Sequence, residues 1–366
     1  MGLVSRAIIA FEAAPLPDGV RKGAVSMLVG HVRRQLRTAP SDASARFAEA
    51  MRLHPIAEHT AAANQQHYEV PAAFFHKCLG PRLKYSSCLY EGPEDTLAIA
   101  EERALEATCA NAALADGQTI LELGCGWGSM TLWMAARYRH ARITAVSNSS
   151  SQRAHIEAAA RTHGLTNVTV ITADMNTFQP ASQPASQPAG QLTGQLTGQL
   201  TGQLTGRFDR IVSVEMFEHM SNWRTLLERC KSWLEPDGRL FMHVFAHRTA
   251  PYRFDVNDPS DWVAHHFFAG GVMPSRDLAS NFPDLFEVEQ EWWWNGKTYQ
   301  RTALDWLANF DAARDVIRPI LTEVYGKDAR LWENRWRLFF LATAGLFGHA
   351  DGDEWGVVHH RLKPAG

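Results

Sequence analysis

The spacing of apolar positions changes twice along this chain. Up to about residue 60 they recur at helical intervals, which predicts two or three amphipathic helices broken at Pro15–Pro17 and at Pro40–Ser41. From Gln118 the pattern becomes short apolar runs alternating with helical stretches. TILELG predicts a strand. SMTLWMAARY predicts a helix burying Met130, Leu132, Trp133 and Ala136. ARITAVSNS, NVTVITAD, FDRIVSVEMFEHM and RLFMHVFAH predict four more strands. The intervening helices are SQRAHIEAAARTHG, ending at Gly164, and NWRTLLERCKSWLEPDG, closed by Pro-Asp-Gly. Near-continuous apolar strands separated by helices indicate an α/β fold with a parallel sheet covered on both faces. Ligands on such sheets sit beyond the carboxyl ends of the strands. After Ala250 the alternation stops. Residues 250–350 are rich in aromatics and mostly helical in pattern, with LFEVEQEWWW and EWGVVHHRL as closing strands.

Between the third and fourth strands runs a tetrapeptide array, QPAS-QPAS-QPAG followed by four copies of QLTG, from Gln179 to Gly206. Almost nothing in it can be buried, so it reads as a disordered surface insertion at 179–206. The predicted organisation is an N-terminal helical region and cover over 1–115. A core over 116–366 follows, with the helical segment of 250–350 lying over the sheet's carboxyl edge.

Composition narrows the function classes. The chain has 366 residues, 45% of them hydrophobic, enough for a full core without metal or disulfide staples. A formal charge of -3 with both signs interspersed gives no footprint for nucleic acid. Five scattered cysteines without a CxxC pair fit reduced thiols in the cytoplasm, and no metal site is indicated. The apolar start lacks a basic lead and a clear cleavage site, so no signal peptide is expected. Arg21, Lys22, Arg33, Arg34 and Arg37 make the second predicted helix basic. Such a helix can touch an anionic membrane, although a solvated helix face is the commoner meaning.

The chemistry concentrates at LELGCGWGS. Gly124, Gly126 and Gly128 form a GxGxG turn after a strand, with Glu122 on that strand. Dinucleotide sites use GxGxxG and a helix N-terminus facing a pyrophosphate. Here the spacing differs, and the acid suits a cationic ligand. S-adenosylmethionine, with a sulfonium, an α-amino group and no phosphate, meets that description.

ELGCGWGS, SVEMFEHM, NQQHYEVPAAFF and KYSSCLY together resemble the cyclopropane-fatty-acid synthase group of methyltransferases. HRTAPYRFDVNDPSDWVAHHFFAGGVMPS, NGKTYQRTALDWL, RWRLFF and LFGHADGDEW resemble its plant branch of alkaloid N-methyltransferases, the coclaurine N-methyltransferase branch. The resemblance runs from about Asn64 to Leu362. It implies a class I S-adenosylmethionine-dependent methyltransferase fold, Rossmann-like, with a mostly parallel seven-stranded sheet, N-terminal helices and a helical aromatic lid. It also implies cofactor contacts. Tyr85 and Ser86 would cover the methionine part, and Gly124 and Gly126 would line its carboxylate and amino end. Ser147, Asn148 and Gln152 would hold the ribose region, and Asp174 and Met175 would meet the adenine. Ser147 and Asn148 would equally serve as helix caps.

For the acceptor the resemblance offers two chemistries. An amine must lose its proton to attack; with lysine's pKa of about 10.4 as a guide, only about one in a thousand is neutral at pH 7. A carboxylate–His pair can hold the amine and receive that proton. In EMFEHM the resemblance implies Glu218 and His219 in that role, with Glu215 adding negative potential. An acyl-chain alkene instead needs a later base to close a ring. In the cyclopropane synthases that base resembles a bicarbonate caged by a YSC cysteine, the FEH glutamate, a fifth-strand histidine and a lid tyrosine. Glu218 and His243 are kept, but Ser87 stands at the cysteine, with Cys88 displaced by one, and Leu307 stands at the tyrosine after Trp306. Phe245, near His243, is bulkier than the family's aliphatic. His67 and Tyr68 are expected at the substrate mouth. Trp292–Trp294, Trp332, Trp336 and Phe340 are candidates to stack on substrate, although aromatics at helical spacing are more often core. The leading expectation is therefore N-methylation of a small hydrophobic or aromatic amine. The alternatives are methylene or methyl transfer to an acyl lipid, and a non-catalytic binder. The residues do not indicate an oligomeric state.

Overall fold

A computed structural model describes residues 11, 12, 14, 16–58, 70–180, 207–259 and 261–366. His67, Tyr68 and the array from residue 181 to 206 lie outside the described residues.

Two helices open the described chain: α1, Asp18–Leu36, after Pro17, and α2, Ala43–Ala50. Pro40 separates them, as the sequence predicts. Next come α3, Ala72–Cys78, and α4, Leu97–Asn111, whose cap Thr96 accepts the Ile99 N–H. The Rossmann-like unit follows: β1 Thr119–Leu123, α5 Ser129–Arg137, β2 Arg142–Ser147, α6 Ser150–Thr162, β3 Val168–Thr172, β4 Phe208–Val214, α7 Trp223–Trp233 and β5 Leu234–His247. The Pro-Asp-Gly expected to close α7 lies inside the first residues of β5, because Leu234 already pairs with Phe208. The buried face of α5 is also rotated from the predicted one: Met130, Thr131, Met134 and Ala135 are buried, Leu132 and Trp133 are half-buried, and Ala136 is exposed. Arg82 covers the Trp133 ring at 5.1 Å, which lets that indole sit at the surface.

Beyond β5 the chain forms a two-stranded ribbon, β6 Tyr252–Arg253 and β7 Val272–Met273, enclosing the short α8, Trp262–His266. Strand β8, Phe286–Asn295, then leads into three helices, α9 Gly296–Ala312, α10 Arg314–Tyr325 and α11 Ala329–Phe347, before β9, Trp355–Pro364, closes the sheet. The sheet order is β3-β2-β1-β4-β5-β9-β8. Strands β1 to β5 are parallel, and β9 runs antiparallel to both β5 and β8. The aromatic helices are thus an excursion between two neighbouring strands. Their aromatic side chains form one apolar cluster with α3 and α4: Phe267 stacks on Phe339 at 4.3 Å, and Trp336 packs on Phe74 at 4.7 Å.

Helix α1 docks on α11. A Cβ on Gly345 would lie 2.4 Å from Val25, so only glycine lets the two helices approach this closely. Arg337 on α11 joins the pair, donating to Asp18 at 2.7 Å and to Asp311 at 2.8 Å. On the basic side of α1, Arg33 pairs with Glu354, and Arg37 reaches the same carboxylate at 3.2 Å. Among the described residues no helix is long and apolar enough to cross a membrane.

Candidate active site

A cavity of about 420 Å³ opens at the carboxyl ends of β1 to β5, where such sheets place their ligands. Its floor is the turn after β1. Gly124, Gly126 and Gly128 all have positive φ, but they serve different neighbours. A Cβ on Gly124 would meet Met216 at 2.5 Å, and one on Gly128 would meet Ile156 of α6 at 2.6 Å. Only Gly126 has open space before it, so it is the glycine whose missing side chain leaves room for a ligand.

Every predicted cofactor residue lines this cavity: Tyr85, Ser86, Glu122, Gly124, Gly126, Ser147, Asn148, Gln152, Asp174 and Met175. Ser147 Oγ donates to Gln152 Oε1 at 2.7 Å, locking two of them together. The cap of α6 is Ser149, which accepts the Gln152 N–H, so Ser147 and Asn148 are spared that task. Glu122 is buried; Thr131 donates to its Oε2 at 2.6 Å, and burial pushes its carboxyl up to about 7. Among the described residues no arginine lines the cavity, and the lysine that does, Lys84, is occupied, donating at 2.6 Å to Ser86 Oγ and to the Ser87 carbonyl. A phosphate would find no free cation among these residues. Glu122 and Asp174 instead suit a ligand that carries positive charge, as S-adenosylmethionine does.

The acceptor end is organised around Glu215. This residue ends β4 with φ of 46°, a left-handed conformation rare for a side chain with a Cβ and typical of functional turns. Its N–H donates to the His243 carbonyl at 2.8 Å. Its carboxylate is nearly saturated: Ser87 N–H donates to Oε1 at 2.8 Å, Tyr299 O–H donates to Oε2 at 2.7 Å, and His243 Nε2 lies 3.2 Å from Oε1. Burial raises the Glu215 pKa, and the Lys84 charge and the Ser87 and Tyr299 donors offset only part of that rise. A carboxylate offers about four acceptor positions, so among the described residues three donors leave one, on Oε2 of a residue that lines the cavity.

Glu218 sits differently. It is fully buried on the 3-10 turn Phe217–His219 and is not among the cavity-lining residues. Phe245 N–H donates to Oε1 at 2.6 Å, and Oε2 is buried without a partner. Burial and the nearby Glu215 charge raise its pKa well above the usual range, so Glu218 holds its proton. The sequence reading made Glu218 the reacting carboxylate and Glu215 its accessory. In the structure Glu215 is the one on the cavity wall, because the chain leaves β4 there and the 3-10 turn tucks Glu218 behind it. His219 lines the cavity, with its ring stacked on Phe268 at 4.6 Å.

His243 is buried behind Glu215 and does not line the cavity. Phe245 does. Trp336 and Phe340 do not: both lie in the aromatic cluster of the helices, and the neighbouring Phe339 faces the cavity instead. The helical pattern marks all three as apolar but does not say which turn of α11 points inward. Trp292 and Trp293 lie under Arg361 and Arg276, Trp294 packs on His359, and Trp332 stacks on Tyr325. The aromatic wall includes Trp127, Phe245, Phe268, Trp306 and Phe339. Ser87 and Leu307, the departures from the bicarbonate cage, are both buried, and the Ser87 backbone serves Glu215. The sequence reading missed Lys84, Tyr299 and His359. The first two lie within the quoted KYSSCLY and NGKTYQ stretches, but nothing in one sequence says that they meet Glu215.

The mycolic acid cyclopropane synthetase family model matches residues 57–185 and 191–353. (S)-Coclaurine N-methyltransferase of Thalictrum flavum subsp. glaucum is 34% identical over 318 residues, 86% of this chain and 81% of that protein. Cyclopropane-fatty-acyl-phospholipid synthase of Escherichia coli strain K12 is 28% identical over 301 residues, 81% of this chain and 67% of that protein. The crystal structure of coclaurine N-methyltransferase bound to N-methylheliamine and SAH superposes with a TM-score of 0.88 at 30% identity, covering 99% of this chain and 100% of the other. With four-fifths of its length matched by the family model and this fold around this cavity, the chain belongs to the mycolic acid cyclopropane synthetase family.

Proposed function

We propose that this protein is an S-adenosylmethionine-dependent N-methyltransferase acting on a small hydrophobic or aromatic amine. The observation that carries the reading is the single open acceptor position on Glu215, set in an aromatic wall. Bound S-adenosylmethionine supplies a methyl carbon made electrophilic by its sulfonium. Glu122, Ser147, Asn148, Gln152, Asp174 and Met175 would hold it at one end of the cavity. At the other end Glu215 Oε2 accepts the amine N–H and takes its proton, leaving the nitrogen lone pair free. His219 lines the same space. Tyr299 and the Ser87 N–H hold the carboxylate still, and Lys84 opposes its neutralisation. Phe245, Phe268 and Phe339 exclude water and favour a flat, cationic guest. The relatives that methylate alkaloid nitrogen support this assignment. Five unpaired buried cysteines support residence in the reducing cytoplasm.

Family membership and the Escherichia coli relative favour a second reading, transfer to unsaturated acyl lipid. Against it stand Ser87 and Leu307, where the bicarbonate cage would need a thiol and a phenol. Incubation with methyl-labelled S-adenosylmethionine and a mixed panel of amines and phospholipids separates the two. Label is expected in the amine fraction. Label confined to phospholipid would overturn the proposal, and ring product that improves in Ser87→Cys with Leu307→Tyr would establish the other.

A further inference from the structure

Behind Glu215 a chain of polar side chains crosses the buried sheet. His243 Nε2 meets Glu215 Oε1 at 3.2 Å. His243 Nδ1 meets His359 Nε2 at 2.8 Å, because β5 and β9 pair these residues directly. His359 Nδ1 meets Asn111 Nδ2 at 2.9 Å, at the last residue of α4. The Asn111 carbonyl is held in turn by the Arg361 guanidinium at 3.2 Å. Both imidazoles are completely buried, with Trp294 against both rings and Phe241 against His359.

The proton positions follow from the acid outward. An ionised Glu215 can only accept, so His243 Nε2 carries hydrogen and donates. A neutral His243 then accepts at Nδ1, so His359 carries its hydrogen on Nε2. His359 Nδ1 must accept, and the Asn111 amide nitrogen donates to it. The alternative protonates His243 on both nitrogens, so that it donates to His359 Nε2 and the His359 hydrogen moves to Nδ1; burial and the buried Lys84 charge oppose that imidazolium, which leaves the first arrangement. Every ring nitrogen then has a partner, and every hydrogen bond points toward Glu215.

We infer that Asn111 and His359 are positioning residues for the methyl-transfer site, fixing the Nε2–H tautomer of His243 so that Glu215 always meets a donor on Oε1 and keeps its open position on Oε2. This rests on the reading of Glu215 as the proton-accepting carboxylate. An apolar pair would fill the space between β5 and β9 with no desolvation cost, so a merely structural role does not account for two buried, hydrogen-bonded imidazoles. The relay does not drain protons from the site, since Glu215 faces a hydrogen that His243 already holds. It is a fixed dipole, preset before substrate arrives.

The test uses the full chain labelled with ¹⁵N-histidine and saturated with S-adenosylhomocysteine. Long-range ¹H–¹⁵N spectra are expected to show His243 and His359 both neutral, both protonated on Nε2, from about pH 6 to 8. A wild-type spectrum with His243 protonated on Nδ1, or doubly protonated, overturns the proposal without reference to any methyl acceptor. If no amine is turned over, the function proposed above fails while these spectra still decide the relay. Where an amine is turned over, His359→Phe and Asn111→Leu are expected to lower kcat about 10- to 100-fold with amine KM and S-adenosylhomocysteine affinity within about twofold. His359→Gln, which keeps an N–H donor toward His243, restores most of that loss. Unchanged kcat in a folded His359→Phe protein rejects the inference. Should that variant not fold, Asn111→Leu, at a half-buried helix end, carries the same test.

Discussion

Along β1, β2 and β3 the cavity takes its wall from consecutive strand ends, Glu122 to Gly126, Ser147 to Gln152 and Asp174 to Met175. Beyond β4 and β5 it draws on Lys84, Glu215, His219, Tyr299 and Phe339, which the chain brings together from the loop before α4, the turn after β4, α9 and α11. The first half satisfies its polar groups locally, as Ser147 does with Gln152 and Glu122 with Thr131. The second half satisfies them across the molecule: Glu215 takes donors from residues 128 and 84 positions away. A locally built half serves one cofactor in many proteins, whereas a half assembled at long range can change its acceptor when any one contributor changes. The two glutamates beyond β4 show how finely that second half is set. Three residues apart, the half-buried one has three donors and an ionic neighbour, and the fully buried one has one donor and an orphan oxygen.

The largest effect that would sharpen this contrast comes from Glu215→Gln. The amide cannot accept the amine's proton, and its NH2 would confront one of the donors already present. Turnover on an amine is expected to fall about 10²- to 10⁴-fold while S-adenosylhomocysteine affinity stays within about threefold. Glu218→Gln is expected to lose at least about tenfold less, since an amide resembles the protonated acid that Glu218 is in the free protein. Single-turnover rates and calorimetric affinities for both variants decide it. A larger loss for Glu218→Gln would move the base to Glu218, as the EMFEHM motif alone suggested.

A middle-sized effect separates the glycines of the locally built half. Gly128→Ala puts a Cβ 2.6 Å from Ile156 at a φ of 84°, so it is expected to cost about 1–3 kcal/mol of stability. Gly126→Ala meets nothing within 4 Å and carries only the cost of its φ of 50°, about 1–2 kcal/mol at most. Its larger expected consequence is weakened cofactor binding, because the new methyl group occupies ligand space. Thermal melts with and without S-adenosylhomocysteine read both quantities. A Gly126→Ala protein that binds as tightly as wild type would show that this turn does not touch the ligand.

How much of this was legible in the sequence follows the same division. The five parallel strands could be read, and every residue expected at the cofactor lines the cavity, because apolar runs, a GxGxG turn and a strand-end polar pair are local signals. The buried face of α5 was misjudged because Arg82 shields Trp133 from a distant loop. The inward face of α11 was missed because Trp336, Phe339 and Phe340 are equally apolar. His359 was unreadable as a site residue because only the β5–β9 register sets it beside His243. That Glu215 rather than Glu218 lines the cavity is illegible for a backbone reason: a positive φ at a glutamate leaves no trace in composition, yet it is where this side chain turns to the cavity.

The smallest expected effect concerns proton linkage at Glu122, where the local half carries its one unpaid charge. With its carboxyl raised to about 7, free protein at pH 6 holds a proton there, while the unfolded chain, with an ordinary glutamate near about 4.3, does not. Stability of the free protein therefore contains a favourable term at low pH that is lost as pH rises from that unfolded value through about 7, then changes no further. Glu122→Gln removes the term, so its melting temperature should exceed that of wild type at pH 8 and match it at pH 4. The ligand sees the opposite slope. A cationic cofactor beside Glu122 favours the ionised acid, so its binding below pH 7 releases a proton, and affinity should rise with pH by at most about tenfold per unit before levelling off above about 7. Calorimetry of S-adenosylmethionine binding in two buffers of different ionisation enthalpy counts that proton directly. Glu122→Gln should flatten the profile at Thr131's expense of nothing more than an exchanged acceptor. A wild-type affinity that does not change between pH 5.5 and 8 would separate Glu122 from the bound cation and leave Asp174 as the acid that meets it.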